Sequence, residues 1–289
     1  MHVRAVAAAT TAFLGATVLL LPTSAAHAAA DTENPLVVAH RGASAYAPEN
    51  TLAAVDKADE MGFEWVENDV QRTRDGRLVV VHDATLTRTT NVEELYPERA
   101  PWNVADFTAA EIARLDAGSW FDDAYAGARV PTLEQYMKRV SRNHQKLLLE
   151  IKNPQLYPGI EQETLKVLGN EGWLGPAHLD RLVIQSFGAD AVRRVHELRP
   201  AVKTGLLGTP DIADLPEYAT FSDQINSSYT TISESYVATL HALVGPHGKP
   251  LEILTWTVND AVNARRVAGY GVNGIITNKP DVVREATQG

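Results

Sequence analysis

The chain has 289 residues and no cysteine, with 26 Lys and Arg against 36 Asp and Glu and a formal net charge of −10. That balance argues against a broad nucleic-acid-binding surface and reads as solubility. The missing thiols exclude disulfides and a lipid-modified cysteine, and a domain of this size buries a core without staples.

Taken in chain order, the first segment is a targeting signal. Arg4 gives a weak positive start, Ala5 to Leu21 is apolar, and Ala26-His27-Ala28 and Ala28-Ala29-Ala30 are both small-residue cleavage patterns. Residues 1–30 are therefore expected to be a cleaved secretory signal, with a secreted product and no stable membrane anchor. Residues 31–289, roughly 260 in number, match the size of one (β/α)₈ barrel. They contain no second hydrophobic span, no low-complexity tract and no solenoid-period repeat.

The interior alternates β-rich runs with helical patterns. Leu36 to His40 is a continuous apolar run ending in polar residues, and Thr51 to Met61 follows with helical spacing until Gly62 ends it. Further strand-like runs are Phe63–Val70, Leu147–Ile151, Leu182–Gln185, Thr204–Leu207, Gln224–Asn226, Ile253–Val258 and Gly274–Thr277. Helical patterns cover Ile160–Leu168, Asp190–Leu198 and Asp260–Ala268. Unbroken apolar strands alternating with helices predict a parallel sheet covered by helices.

The run Leu78–Val81 needs a different reading. It follows Val70 after a short link containing Asp75-Gly76, a hairpin signal. A parallel crossover needs about a dozen residues or more. The run is thus predicted to return antiparallel to the second strand and carry His82 back over the barrel mouth. Residues 83–131 then form a long mixed insertion, either shaping the pocket or packing on the surface. Thr108 and Glu111 stand in capping-box spacing within it.

Several residues on these runs carry chemistry. Glu67 and Asp69 lie two apart on a strand and point the same way. A lone Glu-x-Asp is usually a solvated face, but two carboxylates aimed into a barrel repel unless a cation lies between them. Glu150 ends another apolar strand and adds a third candidate oxygen ligand, with Lys152 on the same face as a candidate phosphate contact. The alternative there is a plain salt bridge between neighbours. Three carboxylates suit Ca²⁺ ahead of Mg²⁺, and either better than zinc. His40 and His82 each close an apolar run, and two such histidines at adjoining strand ends can exchange protons near neutral pH. Arg41 can bind a phosphate oxygen. Asn50 and Thr51 precede a helix, and could cap it or form part of the polar wall.

Together His40-Arg41-Gly42, Pro48-Glu49-Asn50-Thr51, Glu67-Asn68-Asp69-Val70, Asp75-Gly76, His82-Asp83, Glu150-Ile151-Lys152, Trp256-Thr257-Val258-Asn259 and Gly274-Ile275-Ile276-Thr277 closely resemble the glycerophosphodiester phosphodiesterases, secreted bacterial type. The resemblance spans roughly residues 36–283 in the family's motif order. It implies an α/β fold, a (β/α)₈ TIM barrel of the phospholipase-C-like kind. It also implies hydrolysis of small-molecule glycerophosphodiesters to sn-glycerol 3-phosphate and an alcohol with one divalent cation. By motif, Glu67, Asp69 and Glu150 would be metal ligands and His40 and His82 the acid–base pair. Arg41 and Lys152 would hold phosphate, and Trp256 would line the glycerol side. Two positions depart from the family pattern. Asn68 stands where a hydrophobic residue is common, and Asn278 where Asp often precedes a basic-Pro pair. Rival readings are a lysophospholipase D or teichoic-acid hydrolase on the same barrel, a metal-independent phosphoinositide lyase, or a non-catalytic binding protein.

Overall fold

The computed structural model describes residues 1–2 and 34–288; the expected signal segment lies almost wholly outside them. Eight parallel strands form the barrel: β1 (Leu36–Ala39), β2 (Trp65–Arg72), β4 (Lys146–Ile151), β5 (Leu182–Ser186), β6 (Lys203–Leu207), β7 (Gln224–Ser228), β8 (Leu254–Trp256) and β9 (Gly274–Thr277). They are hydrogen-bonded in the order β1-β9-β8-β7-β6-β5-β4-β2, and a β1–β2 pairing closes the ring. One further strand, β3 (Leu78–Val80), runs antiparallel against β2 with Val70 opposite Val80. The predicted hairpin is present, and Gly76 turns it at φ 77°, a left-handed conformation that favours glycine.

A helix follows each barrel strand: α1 (Leu52–Glu60), α2 (Leu133–Arg142), α3 (Ile160–Asn170), α4 (Ala189–Leu198), α5 (Leu215–Tyr218), α6 (Glu234–His241), α7 (Ala261–Gly269) and α8 (Pro280–Gln288). Their starts are chemically marked. The Thr51 side chain accepts from the Ala54 N–H to cap α1, and Thr132 and Gln135 form a capping box on α2. Thr51 thus caps, whereas the buried Asn50 side chain donates to Asp69.

Strand alternation sorts the barrel into two cores. Val37, Ala39, Val66, Val70, Leu147, Leu149 and Ile275 pack outward against the helices. Val38, Leu148, Val183, Leu254 and Ile276 fill the lumen, with Trp65 and Trp256 against them. Side chains on a strand alternate faces, so His40, Glu67, Asp69, Glu150 and Lys152 share the parity of the lumen residues. These five residues lie on or directly after only three strands, β1, β2 and β4, and all take inward-facing positions.

Residues 83–131 do not line the main pocket. Leu86, Val92, Val104, Phe107, Ile112 and Leu115 bury a separate apolar cluster with Val79 and Val81. The helix Ala109–Ile112 starts with the expected capping box of Thr108 and Glu111.

Candidate active site

A pocket with about 130 Å³ of room for water-sized groups opens at the strand C-terminal ends, where barrel chemistry resides. His40, Arg41, Glu67, His82, Glu150, Lys152 and Trp256 all border it. Asp69, buried beneath them, completes the set of residues singled out from the sequence.

The acidic trio comes from two adjacent strands. Asp69 and Glu150 are register partners of β2 and β4, and Glu67 lies one inward step before Asp69. One carboxylate oxygen from each of Glu67, Asp69 and Glu150 falls within 4.8 Å of the others. Two cations face these three acids. Arg41 Nε lies 3.3 Å from Asp69 Oδ2, and Lys152 Nζ lies 2.8 Å from Glu150 Oε1 and 3.7 Å from Asp69 Oδ1. The neighbour salt bridge foreseen for Glu150 and Lys152 is therefore real, and it coexists with the cluster. Burial pushes Glu67 well above the usual carboxylate range, with the charges of Asp69 and Glu150 adding to it. Glu150 is pushed up to about 8 by burial and then by Asp69. Burial also works against ionised Asp69, but Arg41 and Lys152 outweigh it and hold its carboxyl below the ordinary value. Asp69 Oδ1 is buried with no hydrogen-bond partner within the protein.

These observations fit a hard cation. The donors are all oxygen, the trio outnumbers its positive neighbours, and one buried carboxylate oxygen remains unsatisfied. Glu67, Asp69 and Glu150 are the residues that could hold a divalent metal ion.

The β1–α1 turn shapes this centre. Arg41 and Asn50 take left-handed conformations at φ 55° and 59°, which the contacts of both residues stabilise. The Arg41 N–H donates to Glu67 Oε2 at 2.9 Å, its Nη1 donates to Glu49 Oε1 at 2.8 Å, and Asn50 Nδ2 donates to Asp69 Oδ2 at 2.8 Å. Gly42 is required between them, because a Cβ there would meet the Ala54 backbone at 2.6 Å.

Each histidine is held through Nδ1. His40 Nδ1 lies 2.6 Å from Asn278 Oδ1, and His82 Nδ1 lies 2.7 Å from Asp83 Oδ1. Both partners are acceptors, so Nδ1 carries the proton in each ring and Nε2 is the nitrogen left for chemistry. His40 Nε2 stands 4.0 Å from Glu67 Oε2. Burial pushes His40 down to about 4, with Arg41 adding to the effect. Burial also lowers His82, with Arg41 and Lys152 adding and Asp69 opposing.

Trp256 and Phe187 form the apolar wall, edge to face with ring centroids 5.6 Å apart. Trp256 is fixed by its Nε1–H, which donates to the Asn226 carbonyl at 2.8 Å.

Several supporting residues carried no role in the sequence reading: Phe187, Gln71, Arg88 and the His40 partner Asn278. Arg88 donates to both Glu49 oxygens at 2.8 and 2.7 Å and to Asp83 Oδ2 at 2.6 Å. Only Asn278 left a sequence signal, as a departure beside a Lys-Pro pair.

The fold and site together define a (β/α)₈ barrel of the phosphodiesterase kind. The model of the glycerophosphoryl diester phosphodiesterase family matches residues 40–282, and the chain belongs to that family. It is 35% identical over 269 residues to a glycerophosphodiester phosphodiesterase of Bacillus subtilis, covering 88% of this chain and 87% of the relative. A glycerophosphodiester phosphodiesterase of Caldanaerobacter subterraneus is 35% identical over 250 residues, covering 86% of this chain and 96% of the relative. Among solved structures, an Oleispira antarctica phosphodiesterase in complex with the product sn-glycerol-3-phosphate superposes with a TM-score of 0.76 at 27% identity. That likeness covers 89% of this chain and 98% of the other. Among the described residues, no helix is long and apolar enough to cross a membrane.

Proposed function

We propose that this protein hydrolyses glycerophosphodiesters to sn-glycerol 3-phosphate and an alcohol, using one divalent cation, Ca²⁺ ahead of Mg²⁺. The observation that carries the reading is the convergence of Glu67, Asp69 and Glu150 within 4.8 Å, in one pocket with two Nδ1-anchored histidines. The carboxylates would hold the cation, which when bound supplies Lewis-acid stabilisation of charge at a phosphate oxygen. Arg41 and Lys152 bind the non-bridging phosphate oxygens and stabilise the charge that develops there. His40 and His82 form the acid–base pair: one Nε2 takes a proton from the nucleophile, and the other returns one to the leaving alkoxide. An anionic diester beside them favours the protonated form that the acid requires. Trp256 and Phe187 give the glycerol skeleton an apolar wall.

The test is an assay of glycerol 3-phosphate release from glycerophosphocholine and from a polyglycerol phosphate, run beside an assay of lysophosphatidic acid release from a lysophospholipid. Fastest release from glycerophosphocholine is expected. Release from the lysophospholipid or the polymer alone would move the assignment to a lysophospholipase D or a teichoic-acid hydrolase, and no release from any would overturn the reading.

The export signal in residues 1–30 supports a secreted enzyme. Mature protein from culture medium should begin near Ala29 or Asp31 by intact mass. A cell-retained chain that keeps this segment would refute export.

A further inference from the structure

The segment that carries His82 leaves the sheet early. Its last backbone hydrogen bond to β2 is from Val81 N–H to the Asp69 carbonyl at 2.9 Å. Neither the N–H nor the carbonyl of His82 or Asp83 takes a backbone partner among the described residues. One side chain replaces the ladder. Gln71 Nε2 lies 3.1, 3.0 and 2.5 Å from the carbonyls of Val81, His82 and Asp83, three successive residues turned toward a single amide. Gln71 follows Glu67 and Asp69 with the same parity on β2 and is fully buried.

The amide has only one useful orientation. Tyr157 Oη donates to Gln71 Oε1 at 2.9 Å. Reversed, the amide would set its oxygen against three carbonyl oxygens and leave the Tyr157 hydroxyl facing an NH₂. Tyr157 is itself buried, in the loop that follows β4 and five residues beyond Lys152. The Gln71–Tyr157 pair therefore ties the His82 segment to the segment bearing Lys152.

We propose that Gln71 and Tyr157 form a clamp that positions His82, which makes Gln71 a positioning residue for the reaction; this rests on the reading of His82 as one of the acid–base pair. Two constraints then place Nε2. Asp83 sets the ring through Nδ1, and Gln71 sets the backbone from which the ring projects. Gln71 touches neither the acidic trio nor the phosphate contacts by hydrogen bond, so its effect passes through His82. A displacement of about 1 Å at such a group can cost on the order of a hundredfold in rate.

The test is a double-mutant comparison. Gln71→Met keeps the volume and removes the donors; Tyr157→Phe removes only the orienting hydroxyl. With circular dichroism unchanged, Gln71→Met should lower kcat roughly tenfold to a hundredfold. KM should stay within about twofold, because phosphate and cation contacts are intact. Tyr157→Phe should lower kcat by a smaller factor. In a His82→Ala background neither substitution should lower the residual kcat further. Wild-type kcat in both single variants would overturn the clamp. So would an equal loss in the wild-type and His82→Ala backgrounds, because that marks a general structural role. If Gln71→Met fails to fold, Tyr157→Phe carries the same comparison. Wild-type turnover in His82→Ala alone would instead overturn the acid–base reading on which the clamp depends.

Discussion

His82 Nδ1 stands 2.7 Å from Asp83 Oδ1, and this pair begins a chain of alternating charge that ends at the acidic trio. Asp83 is held by Arg88, Arg88 by Glu49, Glu49 by Arg41, and Arg41 by Asp69. Arg88 belongs to the insertion, so that segment supports the site from outside the pocket. Burial works against the ionised form of Asp83, but its bonds to Arg88 and His82 bring the carboxyl down to about 2. Replacing Arg88 with Met should loosen both carboxylates and lower kcat/KM by roughly tenfold, at the weak end for a residue that orients others. Steady-state kinetics on glycerophosphocholine will measure it; an unchanged value would detach the insertion from catalysis.

The histidines should behave as a pair. His40→Ala and His82→Ala are each expected to reduce kcat by roughly 10²–10⁴-fold, the range for a positioned proton-transfer group. Circular dichroism and melting should remain near wild type, since both rings face the pocket. Near-normal turnover in either variant would remove that histidine from the acid–base pair.

Chelation should abolish activity, and added Ca²⁺ or Mg²⁺ should restore it. Calorimetry gives a readout independent of turnover: Ca²⁺ binding should weaken as pH falls, because ligating carboxylates must lose their protons. It should be lost in Asp69→Asn. Binding that persists in Asp69→Asn, or full activity after exhaustive chelation, would exclude the trio as the metal centre.

Asn68 is fully buried, and neither amide atom has a hydrogen-bond partner within the protein. It sits between Val66 and Val70 in outward parity, facing the helix-side core. A buried polar group without a partner costs roughly 1–3 kcal/mol. Asn68→Leu is close in volume and should raise the melting temperature, by roughly 2–4 °C for each kcal/mol recovered. A lower melting temperature in a thermal scan would show that the amide is satisfied in solution.

Asp116 organises the insertion. Its carboxylate accepts from the N–H groups of Gly118, Ser119 and Gly127 and from the Ser119 hydroxyl. Burial resists its ionisation, but these bonds together outweigh it and bring the carboxyl down to about 2. A depressed carboxyl stabilises the fold above its unfolded value of about 3.9, and that contribution is lost as pH falls toward the folded value. Asp116→Asn should therefore reduce stability at neutral pH by about 1 kcal/mol, modest because the group is partly exposed. Urea unfolding should show the difference shrinking between about pH 4 and pH 2; a difference independent of pH would contradict the carboxylate's role.

The barrel was legible in the sequence because its determinants are local. Eight apolar runs with strand composition, several of them separated by helical patterns, specify alternating elements, and each run became a barrel strand. The Asp75-Gly76 link is too short for a crossover, so the return of β3 followed from chain length alone. Strand parity likewise put Glu67 and Asp69 on one face of their strand, and Glu150 and Lys152 on one face of theirs. Which charges meet was decided only by closure of the barrel. Asp69 and Glu150 became neighbours through the β2–β4 register. Asn278 reached His40 across 238 positions of sequence, because β9 lies beside β1. Gln71, Tyr157 and Arg88 act through side-chain bonds to distant segments, and no periodicity or spacing marks such partners. The sequence by itself determined the elements and the chemical kinds of residue at the strand ends. Tertiary structure decided how each is aimed, because hydrogen-bond geometry depends on long-range register that local propensity does not encode.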